Sequence, residues 1–223
     1  MGLKNKGYAV SYKFISITAA ILAVIVIASC QSEPATTTQT STGLPLASFI
    51  SEDFTGSANC AVCHTNLSDA AGNDVSVDTH WRSTMMANAA KDPFWQAMVA
   101  SEVARNPQLK EVIEDKCASC HMPMAYTQAD TDGSSTLMFD EGFLNESNPL
   151  NKAAMDGNSC TLCHQIVDPV LGTYHVDTST NSPNRLLYGP YEGYRQSSMT
   201  DSVGYMPLYG DQLTQSVLCG SCH

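Results

Sequence analysis

The chain has 223 residues with nine Cys, and its 11 Lys plus Arg against 22 Asp plus Glu give a formal charge of −11. That balance excludes a nucleic-acid binder, which needs a basic face to neutralise phosphates, and nine Cys cannot all close into disulfides within one chain. With 43% hydrophobic and 15% charged residues the composition is not that of a disordered protein, and the length suits one or two domains.

The chain begins as an address. Lys4, Lys6 and Lys13 precede an apolar run, Phe14–Ile27, broken only by Ser16 and Thr18, and Ala28, Ser29 and Cys30 follow. A basic start, a short apolar centre and a small-residue end describe a secretory signal over residues 1–29. The run covers ~21 Å as a helix, short of a ~30 Å hydrocarbon core, so a spanning helix would have to recruit its small flanking residues.

Ile27-Ala28-Ser29-Cys30 resembles the lipobox of bacterial lipoproteins. The resemblance implies cleavage before Cys30 and lipidation of its thiol, with several acyl chains giving a stable membrane anchor. Gln31, where an Asp would favour the inner membrane, implies the outer membrane, with the protein periplasmic or at the cell surface. Loss of Lys4, Lys6 and Lys13 takes the formal charge from −11 to −14. Residues 30–48 are rich in Ser, Thr and Pro without hydrophobic period, which predicts a tether. The folded body is expected over 49–223.

Within the body, Thr79–Lys91 and Pro93–Lys116 are expected to be helical. Pro93 suits a first turn, and Phe94, Met98, Val99, Val103, Leu109, Val112 and Ile113 give an apolar stripe interrupted near Pro107. Gln212–His223 is expected as a short helix. Asp130–Asn158 and Tyr174–Gly210 read as loops, the second carrying Tyr188, Tyr191, Tyr194, Tyr205 and Tyr209.

The other eight Cys fall into four identical units: Cys60-Ala-Val-Cys63-His64, Cys117-Ala-Ser-Cys120-His121, Cys160-Thr-Leu-Cys163-His164 and Cys219-Gly-Ser-Cys222-His223. Each is C-x-x-C-H, the attachment sequence of haem c. Two intervening residues let both thiols reach the vinyl groups of one porphyrin, and the next residue sets its imidazole under the iron. A zinc ribbon also uses C-x-x-C pairs but has no need of His after the second Cys. Four haem c groups are therefore expected, held by Cys60, Cys63, Cys117, Cys120, Cys160, Cys163, Cys219 and Cys222. His64, His121, His164 and His223 are the expected proximal iron ligands. So few residues per haem cannot bury four macrocycles in an independent protein core. The expected fold is mainly α with extensive loops, a multihaem cytochrome c architecture packed around stacked haems. The irregular motif spacing excludes a strict sequence repeat.

The chain has six His. With four as proximal ligands, His80 and His175 remain as candidate distal ligands of the haem irons, so at most two haems are bis-His from this chain alone. Met85, Met86, Met122, Met124, Met199 and Met206 are further candidates, although core packing is the commoner role of Met. A neighbouring molecule, an open coordination position, or His beyond residue 223 are the alternatives. The last is an expectation because the fourth motif ends the sequence.

The strings Thr79-His80-Trp81-Arg82-Ser83-Thr84-Met85, Cys117–Met124 and Arg185–Tyr191 leading into Leu218–His223 resemble multihaem c-type cytochromes. The group resembled surrounds the tetrahaem electron carrier of hydroxylamine oxidation and includes the pentahaem nitrite reductases. The resemblance implies a distal role for His80 and a chain continuing past the fourth motif. It also allows a homo-oligomer or filament with haems chained between subunits. The C-x-x-C-K motif of the nitrite reductases is absent, so no catalytic residue is assigned. Electron transfer at a bacterial membrane surface is the leading expectation, with redox proteins as partners and the lipid as membrane contact. An acidic body favours basic partner surfaces. A reductase of nitrogen or sulfur oxyanions at an open haem is the alternative.

Overall fold

Short helices joined by turns make up most of the protein, and this follows from frequent helix breaks in the sequence. In a computed structural model, residues 46–179, 185–193 and 196–222 are described. They belong to one compact unit, Gly43–His223. The signal over 1–29, the lipidation candidate Cys30, most of the tether, Tyr194 and His223 lie outside the described residues.

The helices in order are α1 (Ser57–His64), α2 (Val77–Arg82), α3 (Pro93–Arg105), α4 (Lys110–His121), α5 (Pro123–Thr131), α6 (Asn151–Met155), α7 (Cys160–Cys163), α8 (Gln196–Val203) and α9 (Ser216–Gly220). Short 3-10 turns at Pro107–Leu109 and Asp211–Thr214 precede α4 and α9. The expected helix Thr79–Lys91 stops at Arg82. Thr84 Oγ1 donates to Trp81 O at 2.7 Å, and the Asn88 amide donates to Arg82 O and Thr84 O at 3.1 and 2.8 Å. These side chains offer the backbone an alternative to the helical ladder, and residues 83–91 become turns.

The long expected helix from Pro93 divides at Asn106-Pro107. Asp92 caps its start by accepting from Phe94 N at 2.9 Å, with Pro93 in the first turn. The buried stripe is Trp95, Val99, Val103 and Ile113, whereas Phe94, Met98, Leu109 and Val112 are exposed. Three residues of the expected stripe, Val99, Val103 and Ile113, thus face the core, joined by Trp95.

The core is small and soft. Phe54, Met122, Met124, Met138, Phe143, Leu162 and Ile166 are fully enclosed, with Ala90, Ala118, Ala125, Ala129 and Ala154 letting backbones approach. The fully buried Glu114 accepts from Met138 N and Phe139 N at 2.8 and 3.0 Å, and Lys110 pairs with it at 2.5 Å. That carboxylate orders the expected loop Asp130–Asn158, which also holds the end of α5 and all of α6.

The region expected as loop after Tyr174 contains strands. β1 (Ile166–Val170) and β2 (Thr173–Val176) form an antiparallel hairpin turning at Gly172, φ 78°, and placing Val167 opposite His175. β3 (Arg185–Gly189) and β4 (Tyr205–Tyr209) pair in parallel, with α8 between them in sequence. Pro207 within β4 hid that strand from a sequence reading, since Pro is confined to edges of sheets.

Segment 53–57 braces these elements. Asp53 and Arg185 form an ion pair with side chains 2% and 1% exposed. Arg185 Nη1 also donates to Gln165 Oε1 and Asp177 O at 3.2 and 3.1 Å. Thr55 N donates to Thr161 Oγ1 at 3.2 Å, and that hydroxyl donates back to Thr55 O at 2.9 Å.

Candidate haem-attachment site

The four C-x-x-C-H sequences each sit at or within a short helix. Helical spacing sets the two Cys of a motif one turn apart and places the His at the helix end. Motif 1 lies in α1, with Cys63 and His64 exposed. Motif 2 ends α4, motif 3 forms α7 with His164 as its C-terminal cap, and motif 4 runs out of α9.

Tertiary structure brings the motifs together in a definite pattern. Thr55 with Thr161 and Ser57 with Asp156 join motif 1 to motif 3, and the neighbouring thiols there raise the pKa of Cys60 and lower that of Cys160. Cys120 of motif 2 and Ser221 of motif 4 line one cleft, and the neighbouring thiols there raise Cys222 and lower Cys120. Cys163 of motif 3 feels the charge of Cys219 in motif 4, and burial pushes its thiol up to about 11. All eight described Cys are free thiols, the state that addition to a vinyl group requires.

Two of the described motif His have a ring nitrogen bonded to backbone. His121 Nδ1 lies 3.0 Å from Ala89 O, and His164 Nδ1 lies 2.5 Å from Tyr188 O. A carbonyl only accepts, so Nδ1 carries the hydrogen and, in the neutral ring, the lone pair is on Nε2. This is the tautomer and orienting bond typical of a metal-ligating imidazole. Burial holds the pKa of His164 below the usual value and so favours that neutral ring. Trp95 stacks on His121 with ring centroids 4.2 Å apart and planes 6° from parallel. Free thiols in C-x-x-C pairs followed by an oriented imidazole are a donor set that fits covalent haem. Among the described residues, no group of three or more His, Cys, Asp or Glu is arranged to hold a bare metal ion.

His80 and His175 are both exposed and far apart in sequence. His80 Nε2 donates to Asp74 O at 3.0 Å, leaving Nδ1 as the acceptor nitrogen of the neutral ring. His175 is not in a loop, as expected, but on β2, at the rim of a cleft of about 350 Å³ that Cys120 and Ser221 also line. Met122 and Met124 are fully buried, and Met124 Sδ lies 3.5 Å from Thr161 Oγ1, which makes both core residues. Met85 is 75% exposed, while Met199 and Met206 are half-buried. Of the tyrosines in the 174–210 stretch, Tyr205 is buried, donating to Thr55 Oγ1 at 3.3 Å, and Tyr191 is exposed.

Large apolar side chains lie uncovered beside the motifs. Val62 within motif 1 is 78% exposed, and Leu171, packed over Gly220 of motif 4, is 75% exposed. Asp156, which grips α1, and Trp95 carry no motif signature and were missed from sequence. No known family model, curated protein or solved structure matches the chain. No helix among the described residues is long and apolar enough to cross a membrane.

Proposed function

We propose that this protein carries electrons at a bacterial envelope surface through four covalently attached haem c groups. The observation that supports the reading is four C-x-x-C-H sequences drawn together by bonds across the chain, motif 1 to motif 3 through Thr55 and Ser57, and motifs 2 and 4 to the hairpin that follows motif 3. Haem supplies reversible one-electron chemistry at iron when bound.

The protein's own contribution is spacing and tuning. Ser57, Thr55 and Asp53 are tied respectively to Asp156, Thr161 and Arg185, and these bonds hold motif 1 at a fixed distance from motif 3. Tyr174 OH donates to Ser119 O at 2.7 Å, and Gly172 N donates to Gly220 O at 2.9 Å. The β1–β2 hairpin, which follows motif 3 directly, thereby touches motifs 2 and 4 as well. Ala89 O and Tyr188 O orient His121 and His164 through Nδ1, which raises ligand basicity. Exposed Val62 and Leu171 suit an apolar flat ligand lying over them.

The remaining features follow from the sequence. A lipid on Cys30 and the 30–48 tether would let the acidic body dock to basic redox partners in a salt-dependent way. The test is spectroscopic: the oxidised protein should be mainly low-spin, and the reduced protein should be reoxidised by an external acceptor. A mainly high-spin preparation contradicts the reading. A second reading, reduction of a small oxyanion, would place the substrate in the polar cleft beside Cys120, which Lys116 lines together with the carboxylates of Asp115 and Asp130. Ligand-exchangeable haem in electron paramagnetic resonance would favour it.

A further inference from the structure

The two His outside the motifs are separated by the fold as sharply as the motifs are paired. His80 lies on α2, which packs on the motif 1 helix. The segment leading into α2 returns to motif 1's own exit: Val75 N donates to Leu67 O at 2.9 Å, and Leu67 N donates to Ser76 Oγ at 3.0 Å. On the other side of His80, Trp81 Nε1 donates to Asn158 O at 3.0 Å, two residues before Cys160. His80 is thus held between motif 1 and motif 3.

His175 is held by a different set of bonds. Its neighbour Tyr174 is fastened to Ser119 inside motif 2, and the turn of the same hairpin is fastened to Gly220 inside motif 4. Cys120, Ser221 and His175 open onto one cleft. Tyr174 and His175 both line that cleft, so the hydroxyl bond to Ser119 holds the strand where the imidazole borders the cleft beside Cys120. His175 is exposed and makes no contribution to the core, so it has no evident packing role.

We infer that His80 is a distal iron ligand for the haem pair of motifs 1 and 3, and His175 a distal ligand for the pair of motifs 2 and 4. The inference rests on the haem reading above and assigns one in-chain imidazole to each pair. Tyr174 acts as a positioning residue for His175, through the Ser119 bond.

The test uses the full-length haem-loaded protein. Intact mass first establishes four haems per chain, and a lower number would count against the haem reading rather than this assignment. In His175→Ala, one more haem of the four should become high-spin and bind added cyanide, and added imidazole should restore the low-spin signal. His175→Met should instead keep a six-coordinate iron at raised potential. Each motif is then disabled in turn by Cys→Ala at both thiols. The cyanide binding gained by His175→Ala should persist without motif 1 or motif 3, and vanish without one of motifs 2 and 4, the one whose iron His175 ligates. The reverse pattern is expected for His80→Ala. Loss of the His175→Ala effect on disabling motif 1 or 3, its persistence in all four backgrounds, or no gain of cyanide binding at all would overturn the assignment.

Discussion

Asp156 receives both the backbone N–H and the hydroxyl of Ser57, at 2.9 and 2.6 Å, across 99 residues of sequence. Ser57 opens the helix of motif 1, and Asp156 lies just ahead of motif 3. A buried carboxylate therefore satisfies an orphan donor at the start of one motif helix and fixes it against the next motif. Asp156→Ala leaves Ser57 N without a partner in a buried place and should cost about 1–3 kcal/mol. Denaturant unfolding measures this, and Asp156→Asn should recover part of the loss.

The Asp53–Arg185 pair makes a sharper prediction. Both side chains are almost completely enclosed. Removing one partner strands a buried charge, so Arg185→Met should destabilise by about 3–5 kcal/mol. The double variant Asp53→Asn with Arg185→Met should lose less than the single one. Equal losses would show that the pair's value lies in the Gln165 and Asp177 bonds instead.

Gly157 adopts φ 65°, and a Cβ there would stand 2.7 Å from Met86 O, a backbone atom that cannot swing away. Left-handed backbone alone costs a non-glycine residue about 1–3 kcal/mol. Gly157→Ala should therefore lower stability by at least that amount, measured by thermal melting. It should also loosen the 83–91 turns, seen as faster hydrogen exchange there.

Trp95 stacked on His121 restrains the plane of that imidazole. Trp95→Leu should leave haem content unchanged while altering one low-spin signal in electron paramagnetic resonance. Unchanged spectra would mean that the Trp95 stack does not set the plane of the ring.

The candidate site was marked out in the sequence because C-x-x-C-H is local, a pattern of five consecutive residues. Helix starts at Pro93 and the break at Pro107 were legible for the same reason. The parallel β3–β4 pair was not, since its pairing of Arg185 with Tyr205 depends on Asp53 far upstream and leaves no period in the sequence. Neither was the early end of α2, where Thr84 and Asn88 override an otherwise helical pattern. The partnership of motifs arises from contacts such as Thr55 with Thr161, 106 residues apart, and only the fold reveals it.

Intact mass under denaturing conditions, on protein made in a host that matures c-type cytochromes, tests the central claim most directly. The account predicts the chain plus four covalently retained haems, with Cys60, Cys63, Cys117, Cys120, Cys160, Cys163, Cys219 and Cys222 all refractory to alkylation. A bare chain with those eight thiols open to alkylation would contradict it.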